Sequence, residues 1–308
     1  MKLHIALEQY LAAKQSLGFR FRAESVVLRA FSLAMGKVSV GQVKPVAVRT
    51  YLNGRGPVTR FWEYKWVVLR GFYRFALSRN LARRSPLPAR PAKATKTFAP
   101  YIYSRAELQR LLQASTKERI GRLSPQTVRI LLRLVYGAGL RISEALQLNV
   151  GDVDLQVRLL HVRQSKFFKN RLVPVGPRLA QALEKYRATR SPAGSIRGRF
   201  FQAQSGKPIS RSTAERVFRK LCVAAQVRRI DGSRYQPRLH DLRHTFAVHC
   251  LTAGYRRGTD VQSLLVKLSA YLGHVNIAAT QKYLTITPEL RKRASSRFAR
   301  YALGGSHD

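Results

Sequence analysis

The chain has 308 residues, with 57 Lys plus Arg against 15 Asp plus Glu, a formal charge of +42. Such an excess repels itself in a compact protein unless a polyanion offsets it. Because 45% of the residues are apolar and are spread evenly along the chain, a disordered basic tail is excluded. Nucleic acid is the natural partner, since clustered Lys and Arg release counterions from a phosphate backbone. No segment has the uncharged apolar run of a spanning helix, so no membrane partner is expected. The N-terminal MKLHIALEQYLAAKQSLGFRF has an acidic residue and helical periodicity, unlike a signal peptide. Cys222 and Cys250 have no metal-type spacing and read as buried thiols in a reducing compartment. The expected location is cytoplasmic, associated with the nucleoid.

A length of this order favours two domains. Leu3, Leu7, Tyr10, Leu11 and Leu17 mark a first helix, and Val26, Val27, Ala30, Phe31 and Met35 a second. A third is expected through Val46 to Leu52 and a fourth through Trp62 to Leu77. In that fourth helix Trp62, Trp66, Leu69, Tyr73 and Ala76 fall on one stripe, so the two tryptophans read as core rather than base-stacking residues. Met1 to Thr95 holds 18 Lys/Arg and 3 Asp/Glu without a single basic block. That suits a helical module tracking duplex phosphates. SPLPARPAKATKTFAPYIY, ending at Tyr103, reads as an extended linker. Ser104 and Glu107 form a capping box that opens the next helix. The expected organisation is a helical domain over 1–85, a linker over 86–103 and a second domain over 104–308.

Beyond the linker, helical periodicity covers Arg105 to Gln113 and Gln126 to Gly137. Leu159 to Val175 reads as two β-rich runs around a basic turn, a hairpin. Helices resume around Arg178 to Arg187 and Ser212 to Ala225 and continue from there. The fold class is therefore mainly α with a small β-hairpin.

Candidate chemistry lies in the second domain. GAGLRISEAL puts Arg141 at the junction of two helices, where its guanidinium can meet a phosphate, with Glu144 one turn on to hold it. In SKFFKNRLVPV, a lysine with a lowered pKa can donate a proton to a leaving alkoxide. The plain alternative is that Lys166, Lys169 and Arg171 line a DNA-facing loop. His240 and Arg243 are three apart and share a helix face, while His244 is expected to point elsewhere, into the core or toward a carbonyl. Zinc at His240, His244 and His249 is weakly supported, because Asp241 is the sole acid nearby. Tyr283 follows His274 by nine residues. With an ordinary phenol pKa near 10, it needs cationic neighbours or a base to act as a nucleophile. Arg141, Arg243 and the two histidines supply such a field.

GLRISEAL, SKFFKNRLVPV, LHDLRHTFAVH and LGHVNIAATQKYL stand in the order and rough spacing of the tyrosine recombinases, the phage integrase family. The resemblance, of the Xer/integrase kind, covers Gly137 to Leu284, and the N-terminal module resembles that family's SAM-like core-binding domain. It implies that Arg141 and Arg243 clamp the scissile phosphate and that His240 and His274 add hydrogen bonds and proton transfer. Lys166, favoured over Lys169, would protonate the departing 5′-hydroxyl. Tyr283 would form a 3′-phosphotyrosyl bond, with Glu144 in support. No cofactor and no metal are implied. The implied partners are double-stranded DNA with inverted-repeat core sites and copies of the same chain. Two protomers would hold each site in a C-shaped clamp and four would form the synapse, with a related recombinase as an alternative partner. The implied role is site-specific recombination for a mobile element, by integration, excision or transposition. A catalytically silent DNA-binding relative and a type IB topoisomerase are the competing readings. The spacer from Gly254 to His274 is longer and more basic than in compact family members. The apolar spacing of Pro288 to Leu303 suggests a terminal helix that docks in its own domain or on a neighbouring subunit.

Overall fold

In a computed structural model of the protein, the described residues are 1–54, 60–89, 99–117, 123–163, 170–190, 198–233, 235–274 and 276–286. The chain divides into two compact units, Met1–Phe98 and Ala99–Asp308.

The first unit contains α1 (Leu3–Ser16), α2 (Arg22–Met35), α3 (Pro45–Asn53) and α4 (Arg60–Ser78). Their apolar stripes close on a common core, with Leu3, Leu28, Phe31, Val48, Leu69 and Phe72 buried. Trp62 and Trp66 belong to that core, as their helical spacing requires. Their indole N–H groups donate to Asn53 Oδ1 at 2.9 Å and to the Pro88 carbonyl at 3.0 Å. Buried indoles need such partners, and the second bond holds Pro88 against this unit. Leu17 and Val26, expected on the buried stripe, are exposed. Leu17 falls one residue past the end of α1, and the buried face of α2 runs through Val27, Leu28 and Phe31 instead.

The second unit opens with Tyr103, which is fully buried. Its N–H donates to Thr245 Oγ1 at 3.0 Å and its hydroxyl to the Arg238 carbonyl at 2.9 Å. The Ser104–Glu107 capping box forms in both directions and starts α5 (Arg105–Lys117). Next come α6 (Pro125–Gly137) and α7 (Ile142–Gln147), then β1 (Val153–Asp154), β2 (Leu159–Val162) and β3 (Arg171–Pro174). The expected hairpin is thus two strands of a three-stranded antiparallel sheet of order β1-β2-β3, in which Leu160 pairs with Val173 and Val162 with Arg171. The unit continues with α8 (Pro177–Arg190), α9 (Arg211–Ala224), α10 (Asp241–Arg256), α11 (Val261–Leu272) and α12 (Ala278–Ile286).

The spacer from Gly254 to His274 is the end of α10, a tight turn and the whole of α11. Asp260 caps α11 by accepting from the N–H groups of Gln262 and Ser263. A separate cluster of Ala247, Val248, Leu251, Leu265, Leu268, Leu272 and Tyr283 binds α10, α11 and α12 together. The expected terminal helix over Pro288 to Leu303 lies outside the described residues. Among the described residues, no helix is long and apolar enough to cross a membrane.

Candidate active site

The site is organised around one buried carboxylate. Glu144, in the first turn of α7, accepts from Arg141 Nη1 at 2.7 Å and from the Arg141 backbone N–H at 3.0 Å. From β3, Arg171 donates to it with two parallel bonds, Nη1 at 3.0 Å and Nη2 at 2.8 Å. Arg243 Nη1 lies 3.8 Å away. Three guanidiniums thus surround one carboxylate, an arrangement in which planar forks fix one another's orientation. Burial alone would push Glu144 up, but the hydrogen bonds and charge of Arg171, and then those of Arg141, bring it down to about 2.

The C-terminus of α11 supplies the other wall. Helix ends leave carbonyls without intrahelical partners and carry partial negative charge, and arginines meet these carbonyls in sequence. Arg171 Nε donates to the Tyr271 carbonyl at 3.1 Å and Arg243 Nη2 to that of Leu272 at 2.7 Å. Arg141 Nη2 makes a long contact of 3.5 Å with Gly273. Gly273 terminates the helix in the left-handed region, at φ +67°, as helix ends favour for glycine. Across the site, Arg243 Nη1 donates to the Gly139 carbonyl at 2.8 Å. Gly139 is also left-handed, at φ +57°, and a Cβ there would collide with the Phe246 ring.

Arg243 is 2% exposed in its side chain and Arg141 22%, so Arg141 is the more open to an incoming anion. Burial, followed by repulsion from Arg141, lowers Arg243 to about 10, which leaves it charged at neutral pH. Each guanidinium has five N–H donors, more than the bonds just described consume. Three arginines against one carboxylate leave a fixed positive excess with its dipoles already oriented, the condition for stabilising charge that develops on a phosphate.

The phenol of Tyr283 lies within electrostatic reach of Arg243 and Arg141. It is 3% exposed on α12, and its hydroxyl is 2.9 Å from Nδ1 of His244. The His244 ring stands edge-on to that of His240, with centroids 4.9 Å apart. The His274 ring stacks 6.4 Å from Tyr283 and is fixed by a 2.7 Å hydrogen bond between Nδ1 and Thr280 Oγ1. Burial pushes the Tyr283 phenol up, while Arg243 and Arg141 pull it down. The three imidazoles are held neutral: burial, then the arginine charges, lower His240 and His274 to about 4. Burial, then His240 and Arg243, lower His244 to about 3. Among the described residues, no group of three or more His, Cys, Asp and Glu is set to hold a metal ion.

The model of the phage integrase family matches residues 103–289. The chain belongs to the phage integrase family. It is a tyrosine-type site-specific recombinase, whose matched region holds every residue just described. This recombinase is 32% identical over 307 residues to the integrase/recombinase y4rB of Sinorhizobium fredii, covering 96% of each chain. Its fold is that of the Tn1549 transposon integrase in complex with a circular intermediate DNA, at 17% identity and a TM-score of 0.70, covering 95% of this chain and 99% of that one. It is likewise that of a lambda integrase tetramer bound to a Holliday junction, at 17% identity and a TM-score of 0.68, covering 92% and 77%.

Of the residues expected from sequence, Arg141, Glu144 and Arg243 meet in one ion-paired cluster, with His240, His274 and Tyr283 beside it. Lys166 and Lys169 lie outside the described residues. Two assignments are corrected. Arg171 does not line a DNA-facing loop; it is turned inward on Glu144. Its signal was the period-two alternation of β3, which puts it on the same face as buried Val173. His244, expected to point away from His240 into the core or toward a carbonyl, does turn to the buried Tyr283 of the α10–α11–α12 cluster, but it keeps its ring against that of His240. It is four residues from His240, and on a helix that spacing gives a shared face.

Proposed function

We propose that this recombinase breaks one DNA strand at a time by attack of Tyr283 Oη on the scissile phosphate. The protein is left on the 3′-phosphate and a 5′-hydroxyl is released. The reading is carried by the buried phenol of Tyr283 beside Arg141, which Glu144 holds, and Arg243, which the Gly139 and Leu272 carbonyls hold. Arg141 and Arg243 would grip the non-bridging oxygens, whose charge grows as the fifth bond to phosphorus forms. His240 and His274 would add hydrogen bonds to the same oxygens. Lys166 would give a proton to the departing 5′-oxygen. Glu144 touches no substrate atom and acts by holding the guanidiniums. The energy of the phosphodiester is kept in the phosphotyrosyl bond, so religation needs no cofactor.

The partner is duplex DNA with inverted-repeat core sites, held by two protomers per site and four per synapse, or by pairs with a related recombinase. The lambda integrase tetramer on a Holliday junction supports that stoichiometry. Residues 1–85 serve as a DNA-binding module whose scattered basic residues track phosphates, in a cytoplasmic, nucleoid-associated protein. The likeness to the Tn1549 transposon integrase supports service to a mobile element. The test is a nicked suicide duplex carrying the core site, on which strand release traps the intermediate. The wild type is expected to give a covalent adduct and Tyr283→Phe none. An adduct persisting in Tyr283→Phe would remove that tyrosine from its role.

A further inference from the structure

Attack by Tyr283 requires that its phenolic proton leave. Its field does not ionise it in advance, because burial outweighs the pull of Arg243 and Arg141. A proton acceptor must therefore stand within hydrogen-bond reach of Oη. Nδ1 of His244 is at 2.9 Å. We propose that His244 is a catalytic residue of the strand-cleavage step, taking the proton of Tyr283 as Oη bonds to phosphorus. The assignment rests on the reading of Tyr283 as nucleophile. In the step, the Oη–P bond forms, the P–O5′ bond breaks, and the phenolic proton passes to His244 Nδ1. The departing O5′ receives its proton from Lys166. In religation a 5′-hydroxyl attacks the phosphotyrosine and gives its proton back to Lys166; the O5′–P bond forms, the Oη–P bond breaks, and His244 returns its proton to Oη.

The surroundings of His244 suit this traffic. It is half-buried, and its main electrostatic neighbours come from three places in the fold. On its own helix and the turn before it stand His240, Arg243 and Arg238; His274 comes from beyond α11, and Tyr283 from α12. In the absence of DNA, burial first and then the nearby charges, Arg243 and Arg238 among them, favour the neutral imidazole, which is the form that can accept a proton. A phosphate on Arg141 and Arg243 would offset their charge and make the imidazole more basic. The base is thereby strengthened when substrate is bound. The ring of His240 packs edge-on against that of His244. Its closeness disfavours charge on both rings together.

The test compares adduct formation on the suicide duplex by the wild type, Tyr283→Phe, His244→Gln and His244→Ala. Gln keeps a hydrogen-bonding group beside Oη but cannot take up a proton. His244→Gln is expected to lower the cleavage rate by roughly 10²-fold or more, with duplex binding retained. Its rate should keep rising with pH into the alkaline range, where the phenol ionises unaided and the wild-type rate levels off. In His244→Ala, added imidazole should restore part of the rate. A duplex with sulfur in place of the bridging O5′ removes the need for leaving-group protonation. It should rescue Lys166→Ala but not His244→Gln. Wild-type cleavage by His244→Gln would overturn the assignment, as would a loss matched by equal weakening of DNA binding. If the wild type itself forms no adduct, the reading of Tyr283 fails. If only the His244 variants behave as wild type, that reading stands and this one falls.

Discussion

Replacing Glu144 by Gln keeps the side-chain shape but takes the negative charge from among Arg141, Arg171 and Arg243. The fall of Glu144 from an ordinary 4.5 to about 2 corresponds to about 3 kcal/mol of stability at neutral pH. Breaking one side of a buried ion pair independently suggests about 3–5 kcal/mol. For a unit of this size the melting temperature should drop by about 6–12 °C near neutral pH. The sign with pH follows from a carboxylate depressed in the folded state. Its contribution is complete above about 4.5 and is lost as pH falls toward about 2. The gap between wild type and Glu144→Gln should therefore close in acid. Far-UV circular dichroism melts across that range measure it. Tryptophan fluorescence gives an internal comparison, since Trp62 and Trp66 both lie in the first unit. A neutral-pH shift under about 2 °C, or a gap that stays constant in acid, would refute the view of Glu144 as the charged pivot of the arginine cluster.

Arg243→Lys removes a guanidinium anchored to two carbonyls and substitutes a single point charge. Suicide-substrate cleavage should fall by roughly 10²-fold or more, while gel-shift binding of the duplex changes little; lost binding would make Arg243 a positioning residue. Gly139→Ala forces a Cβ into the Phe246 ring at a positive φ. It should cost about 3 kcal/mol from overpacking and left-handed strain, read as a lowered urea midpoint. The depressed imidazoles of His240, His244 and His274 bind protons in the unfolded state before they do in the folded one. Stability should thus fall as pH drops from about 6.5, by up to about 2 kcal/mol for each ring at pH 5. Titration of the ring Cε1–H signals by NMR checks it, and histidines titrating near 6.5 would contradict it.

Much of this site was legible because each side chain sits next to a short local signal. Arg141 and Glu144 are three residues apart at a helix start, His240 and Arg243 three apart at another, and Tyr283 lies nine residues beyond His274. The first four helices were equally legible, because their buried stripes are continuous in sequence. The parts that stayed hidden depend on partners remote along the chain. The bidentate bond from Arg171 to Glu144 joins residues 27 apart, and its bond to the Tyr271 carbonyl joins residues 100 apart. A two-residue strand such as β1 leaves too short a pattern to read, and its pairing with β2 appears only on folding. The spacer from Gly254 to His274 reads in sequence as a long, basic stretch that lengthens a helix or loop near the site. It does hold a helix, α11, but what that helix supplies to the arginines is backbone carbonyls, and backbone acceptors have no signature in side-chain sequence. The setting of His244 is hidden for a different reason: adjacency to Arg243 suggests an opposite direction, while the helical repeat pairs it with His240.

The central claim is that Tyr283 becomes joined to DNA. The most direct measurement traps the wild-type adduct on the nicked duplex, digests protein and DNA to their smallest linked fragment, and sequences it by mass spectrometry. The expected product is a nucleotide joined through its 3′-phosphate to the phenolic oxygen of Tyr283. A linkage to another residue, or through a 5′-phosphate, would contradict it.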